Sequence, residues 1–208
     1  MKREVLDAYE SHKFVSRAVA VPETQLVRKV SEITIKCPLV LKIVSEQAVH
    51  KTEIGGVKVV NHQAELSEVF DELLNIAKNN KIKLEGILAQ EFVEGQQLII
   101  GLKKDETFGQ VILMGIGGIF AELLNDVAVR KCPITISDAK SMIDELKMNK
   151  LFYNFRNISL NTSFLKQTLV NISNFAQKHK EIVEMDINPF ILNSIDGLAV
   201  DTRIVIEK

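Results

Sequence analysis

Apolar residues repeat along this chain with two spacings, and each spacing predicts a kind of element. The stretch from Gly86 to Glu122 shows the shorter one most clearly. Gly86–Ala89 reads as an apolar strand running into Gln90-Glu91 and a polar break, Glu94-Gly95-Gln96. Leu98–Leu102 and Gln110–Met114 follow as strands across a charged turn, Lys103–Gly109. Strand, short polar hinge, strand is a way to join two lobes with a ligand slot between them. Taken alone, the same stretch also reads as a β-meander with ordinary hairpin turns.

Before it, residues 3–13 carry Val5, Leu6 and Tyr9 as a helical stripe, and Phe14–Val21 alternates like a strand up to Pro22. Leu26, Val27, Val30 and Ile33 fall at helical spacing, and Cys37-Pro38 ends that element. Leu39–Val44 is apolar on both faces except at Lys42, the pattern of a central strand, and Val57–Val60 reads as another. Residues 64–78 are an amphipathic helix with Leu66, Val69, Phe70, Leu73, Leu74 and Ala77 on one face.

After it, Ile119–Lys131 is ambiguous between strand and helix, and Met148–Leu160 has no clear period. Ser137 is placed to cap a helix through Leu146. A further helix runs from about Asn161 to Lys178, with Leu165, Leu169, Ile172 and Ala176 inward. The chain closes on a hairpin, Ile182–Leu192 and Gly197–Ile206. Glu184, Asp186 and Asn188 share one face, as do Asp201 and Arg203. A register that pairs Asn188 with Asp201 sets Asp186 opposite Arg203.

Composition narrows the class. At 208 residues, 46% hydrophobic and 25% charged, the chain fits a soluble globular protein with one substantial domain or two small lobes. A net charge of −1 implies no general attraction to nucleic acid or an anionic membrane. Cys37 and Cys132 have neither disulfide-framework nor zinc-site spacing. With no signal peptide or spanning apolar run, a cytoplasmic location is expected.

Candidate chemistry gathers at three places. An ammonium at Lys42 inside an apolar strand calls for an anion, unless it is a gatekeeper on a sheet edge. The His50-Lys51-Thr52 loop ends in Gly55-Gly56, which lets backbone N–H groups approach phosphate oxygens, or is simply a solvated loop and a turn. Asn188 and Asp201 together offer the hard oxygen ligands that magnesium uses when phosphates complete its shell. Arg203 beside them can fork onto a phosphate or orient Asp186. The alternative there is a solvated face with cross-strand ion pairs. The Gly115–Gly118 cluster lacks the third glycine and the strand-to-helix context of a dinucleotide site, and no GxxxxGK[ST] occurs.

The ordered set PLVLKIVSEQAVHKTEIGGVKV, GILAQEFVEGQQLIIGLKKDETFGQVILMGIGGIFAELLNDVAVR and VEMDINPFI…LAVDTRI resembles the ATP-grasp (beta) subunit of ADP-forming acyl-CoA synthetases such as acetate–CoA ligase. The beta subunit of succinyl-CoA synthetase is a more distant relative. The resemblance implies an α+β fold of the ATP-grasp type: two lobes with mixed β-sheets flanked by helices, and nucleotide in the cleft between them. The smaller lobe would span 14–90 and the larger 91–208, with a helix over 1–13 packed on it. The implied reaction is acyl-CoA + ADP + phosphate = acid + CoA + ATP, with Mg2+ as cofactor and ADP or ATP as substrate. A CoA-binding alpha subunit carrying a phosphorylated histidine is the implied partner, in a hetero-oligomer without nucleic acid or membrane.

By similarity, Lys42 contacts nucleotide phosphates with Gly55, Gly56 and Val57 beside them. Gln90, Glu91, Phe92 and Val93 seat the adenine, Asn188 and Asp201 hold the metal, and His50 relays phosphate. An adjacent carboxylate such as Asp186 can orient the imidazole, and Arg203 stands next to it. Glu122 and Arg130 also match family positions. Gln97 departs from the family, standing where a ribose-gripping glutamate is usual, so the charge there is lost. A stand-alone ATP-grasp ligase and a non-catalytic nucleotide sensor are the competing readings.

Overall fold

A computed structural model describes residues 3–45, 54–118, 126–157 and 159–208. In chain order its elements are β1 (Arg3–Val5), α1 (Ala8–Val15), β2 (Thr24–Val27), β3 (Leu39–Val44), β4 (Val57–Val60), α2 (Leu66–Asn79), β5 (Gly86–Glu91), β6 (Gln96–Asp105), β7 (Gly109–Ile116), β8 (Val127–Lys131), α3 (Ile136–Glu145), α4 (Thr162–Lys178), β9 (Ile182–Leu192), β10 (Gly197–Ala199) and β11 (Thr202–Glu207). The chain divides into two compact units. The larger comprises Met1–Leu6, Glu10–Val21 and Glu94–Lys208; the smaller comprises Asp7–Tyr9 and Pro22–Val93.

The larger unit is built on a seven-stranded sheet of order β1-β11-β9-β6-β7-β8, with β10 pairing β9. Alternation sets its core face: Leu98, Ile100 and Leu102 on β6 and Ile112 and Met114 on β7 are all buried. The same core takes Ala139, Met142 and Ile143 from α3 and Leu165, Leu169, Ile172 and Ala176 from α4. The α4 residues are those that helical spacing turned inward. The smaller unit has a four-stranded sheet of order β2-β5-β3-β4. Leu39, Leu41 and Ile43 form its core with Leu66, Phe70, Leu73 and Ala77 of α2, while Leu74 is left exposed.

The described strand pairings in both sheets are antiparallel, where mixed sheets were expected. A parallel pair needs a long crossover, and neighbours such as β6 and β7 are joined by a tight turn instead. The division also departs from the expected lobes at residues 14–21, because Val15 and Val19 are buried in the larger unit's core.

Three assignments near the start of the chain change. Arg3–Val5 is a strand, because it completes the sheet edge against Val205–Glu207; helix begins only at Ala8. Phe14–Val21 is not a strand: Phe14 and Val15 end α1, and the N–H groups of Ala18 and Val19 turn back to the Val15 carbonyl. Thr24–Val27 is a strand paired with β5. Its neighbours Leu26 (39% exposed) and Val27 (4%) face opposite ways, as a period of two demands; on a helix they would lie about 100° apart. Gln90 and Glu91 are the last rungs of β5, so the linking segment is shorter than a hinge from 90 to 93.

The cap of α3 is Thr135, two residues before Ser137, which lies inside the helix. Its hydroxyl accepts from Asp138 N–H at 3.2 Å, and the Asp138 carboxylate accepts from Thr135 N–H at 2.8 Å, a reciprocal capping box. Removing it by Thr135→Ala is expected to cost about 1 kcal/mol, read as a lower urea midpoint for the larger unit. Hydrogen bonds from the Thr135 N–H and hydroxyl hold the Asp138 carboxyl below its ordinary range. Its contribution is therefore present above the unfolded Asp pKa of about 3.9 and lost as pH falls through the lowered folded value. The Thr135→Ala deficit should narrow in acid; a deficit that does not change with pH would contradict the box.

Candidate functional site

In the smaller unit, Lys42 lies on β3, with β4 on one side and β5 on the other, so it is not an edge lysine. It is 6% exposed, and its Nζ donates to Gln90 Oε1 at 2.8 Å. One acceptor of that ammonium is thus a side-chain amide. Gln90 is fully buried on β5, and its Nε2 donates to Thr24 Oγ1 on β2 at 3.3 Å. The Thr24 hydroxyl donates in turn to the Pro22 carbonyl at 2.9 Å.

The glycine pair sits beside this lysine. Val57 is the register partner of Lys42, and the Gly56 carbonyl accepts from Ile43 N–H at 2.9 Å. Gly55 has φ +73°, a conformation that glycine adopts without strain. In the linking segment, Glu91 N–H donates to Glu23 O (2.9 Å) and Phe92 N–H to Pro38 O (3.3 Å). The Glu91 side chain is exposed and Val93 is half-buried.

In the larger unit, the hairpin register is the expected one. Arg203 stands opposite Asp186, and Asn188 N–H donates to the Asp201 carbonyl at 3.0 Å. Gly197 allows β10 to continue that register. A Cβ there would lie 2.4 Å from Cζ of the buried Phe190 ring. Asn188 and Asp201 are exposed and Asp186 is half-buried. Arg203 does not orient Asp186: its Nη1 donates to Glu184 Oε1 at 3.2 Å, the carboxylate two residues along the same face. Burial, then the negative charges of Glu184 and Asp201, push the Asp186 carboxyl above its ordinary range, against an opposing effect of Arg203.

Such a face favours a cation. Among the described residues no group of three or more His, Cys, Asp or Glu side chains is arranged to enclose one. An amide and a carboxylate with phosphate oxygens as the remaining ligands are nevertheless a donor set that magnesium accepts, so the residues fit the ion.

Gln97 is exposed on β6, and its carbonyl accepts from Gly117 N–H at 2.9 Å. Gly118, at φ +70°, has room for a Cβ only 3.1 Å from Gln97 Oε1. The glycine cluster that fails as a dinucleotide motif thus packs against the candidate ribose residue. The structure joins Lys42, Gln90 and Gly55–Val57 in the smaller unit, and Asp186, Asn188, Asp201 and Arg203 in the larger. His50 and Glu122 lie outside the described residues. Arg130 ion-pairs with Glu145 at 2.6 Å. The sequence pattern did not single out Thr24, which accepts from the Gln90 amide, or Glu184, which holds Arg203.

Comparison with known proteins fits this arrangement. The ATP-grasp domain family matches residues 1–206, and the chain belongs to that family. Its branch is that of the ADP-forming acetate–CoA ligases. Subunit beta of ADP-forming acetate–CoA ligase I from Pyrococcus furiosus is 34% identical over 198 residues, covering 90% of this chain and 85% of the relative. The ADP-forming acetate–CoA ligase of Methanocaldococcus jannaschii is 36% identical over 214 residues, 95% of this chain, which spans only 30% of that relative's length. Among solved structures, acetyl-coenzyme A synthetase 1 of Ca. Korarchaeum cryptofilum, in complex with coenzyme A, Ca-AMPCP and HgCl+, superposes with a TM-score of 0.93 at 37% identity. That match covers 98% of this chain and 94% of the other. The α+β, ATP-grasp expectation is borne out.

Substituting Gly197→Ala forces a Cβ into the Phe190 ring and is expected to destabilise the larger unit by about 1–3 kcal/mol. A thermal unfolding midpoint equal to that of the unaltered chain would show that the hairpin yields without cost.

Proposed function

We propose that this chain is the nucleotide-binding subunit of an ADP-forming acyl-CoA synthetase, moving a phosphoryl group reversibly between a phosphohistidine and Mg-ADP. The observation that carries this reading is the buried Lys42 ammonium on a central strand beside the Gly55–Val57 turn, a place where a cation can meet phosphate oxygens. Relatives named as ADP-forming acetate–CoA ligase subunit beta support it. So does the Korarchaeum enzyme, described with Mg-AMPPCP and a phosphohistidine segment pointing towards its nucleotide site.

On this reading Lys42 and Gly55–Val57 hold the phosphates, Gln90–Val93 border the adenine, and Gln97 meets the ribose. Asn188 and Asp201 would hold magnesium, which when bound supplies positive charge to the phosphate oxygens. His50 takes the phosphoryl group from the partner's phosphohistidine, breaking one P–N bond and forming another. It then yields the group to the terminal phosphate oxygen of ADP. Neutral imidazole is the nucleophile, and Lys51 beside it disfavours the protonated ring. Asp186 stabilises the charge that develops on the ring, and Arg203 anchors Glu184 on the same face. A separate CoA-binding alpha chain carries the acyl chemistry, in a cytoplasmic hetero-oligomer. Among the described residues no helix is long and apolar enough to cross a membrane.

The test is reconstitution. The purified chain should bind Mg-ADP and make no acyl-CoA. With a co-purified alpha-type partner it should form ATP from ADP, phosphate and acyl-CoA. His50→Asn should lower that turnover on the order of a hundredfold or more; unchanged turnover would remove the relay. Lys42→Met should weaken ADP binding about 10–100-fold, the loss of a charge-assisted contact. The uncharged Gln97 favours one second reading, a nucleotide sensor without transfer. Intact Mg-ADP binding with no exchange beside the alpha chain would select it.

A further inference from the structure

From Lys147 to Lys180 the chain runs for 34 residues without an Asp or Glu, and it carries six cations there: Lys147, Lys150, Arg156, Lys166, Lys178 and Lys180. An even spread of the 27 acids over 208 residues would place about four in that stretch. The acids of neighbouring α3 do not make up the deficit. Asp144 is held by Lys140 at 2.5 Å and by the Tyr153 hydroxyl, and Glu145 by Arg130 at 2.6 Å. Among the described residues, Lys150 and Arg156 enter no ion pair.

The same stretch displays two aromatic rings. Phe152, 3% exposed, anchors the chain in the core; Tyr153 is then 55% exposed and Phe155 41%. The Arg156 guanidinium lies over the Phe155 ring, 5.4 Å from its centre. The loop that carries them is strained. Asn154 (φ +53°) and Arg156 (φ +51°) both take the left-handed conformation that residues with side chains rarely adopt. Beside it, exposed positions of α4 are neutral and polar at Ser163, Gln167, Asn171 and Asn174. Lys166 of that helix is close enough to Asp144 to act on its charge, which ties α4 to the Tyr153 loop.

Exposed Tyr, Phe and Arg in neutral polar surroundings, with lysines at the margin, are the composition of a protein–protein interface. A face without acids complements an acidic one. A nucleic acid fits less well, because following a phosphate backbone takes a dense row of cations and neutral side chains line this part of α4.

We propose that the loop of Tyr153, Phe155 and Arg156, with the adjoining face of α4, docks an acidic surface of the CoA-binding partner chain. This rests on the subunit reading given above.

The experiment titrates the co-purified alpha-type partner into the dye-labelled full chain and follows fluorescence anisotropy at low and high salt. Lys150→Glu and Arg156→Glu should each weaken association about tenfold, a loss that shrinks at high salt. Lys13→Glu, the same charge change at an exposed position of α1, should leave association unaltered. Calorimetric titration of both variants with Mg-ADP should match the unaltered chain. A photoreactive p-benzoylphenylalanine in place of Phe155 should crosslink to the partner. The same group in place of Ile195, 77% exposed between β9 and β10, should not. Unchanged association in both variants, or equal crosslinking from 155 and 195, overturns the docking role and leaves the subunit reading standing. An equal loss in Lys13→Glu marks overall charge, and a parallel loss of Mg-ADP binding marks general damage; each overturns the role. Binding of a labelled oligouridylate that Arg156→Glu abolishes assigns the face to nucleic acid instead. An unaltered chain that does not bind the partner overturns the subunit reading and this role with it.

Discussion

Removing an ammonium from water costs several kcal/mol unless polar groups replace its hydration, and the sheet of the smaller unit is arranged around that cost. Lys42 occupies the middle of β3, flanked in sequence by Leu41 and Ile43, which face the α2 side of the sheet and are fully buried. An acceptor comes from β5, and the same Gln90 amide donates to Thr24 on β2. Only an order that puts β5 between β2 and β3 sets these three side chains in a row, and that is the order observed. The strand order and the chemistry of the site are thus one constraint.

The larger unit meets a different constraint, that of register. The pairing of β9 passes from β10 to β11 in one register, although Val200 and Asp201 interrupt the strand, and it shifts only beyond Val205. The Val200 N–H donates to the Pro189 carbonyl and the Asn188 N–H to the Asp201 carbonyl, both at 3.0 Å, so the ladder carries across the gap. A slip of one residue would move every side chain of one strand to the other face. Held as it is, the ladder keeps Asp186, Asn188 and Asp201 on one face and Met185, Ile187 and Ile204 in the core. Burial first, and then the neighbouring negative charges of Glu184 and Asp201, raise the Asp186 carboxyl, and the same charges favour a cation at this face.

Long amphipathic elements were legible from the residues because their burial follows their own period. The α4 stripe, the apolar run of β3 and the alternation of β6, β7 and β9 bury the residues that spacing selects, and the α2 stripe does so except at half-buried Val69 and exposed Leu74. The hairpin register was legible for the same reason: a turn of fixed length between two alternating strands leaves one pairing that keeps both apolar faces inward. Short segments were not. Arg3–Val5 and Thr24–Val27 are strands because of partners far along the chain, at Val205–Glu207 and Ile87–Gln90. Three or four residues hold too little periodicity to outweigh such pairing.

By itself the sequence determined the family, through the order of its motifs, and it singled out the groups proposed to meet phosphate and metal: Lys42, the Gly55-Gly56 pair, Asn188 and Asp201. What tertiary structure decided was how those groups are held. A buried hydrogen-bond chain joins residues 24, 42 and 90 across three strands, and an ion pair draws Arg203 to Glu184 and away from Asp186. Local pattern records which face a side chain takes; which donor meets which acceptor depends on strand order and on the last ångström of approach, and both are set only when the sheets close.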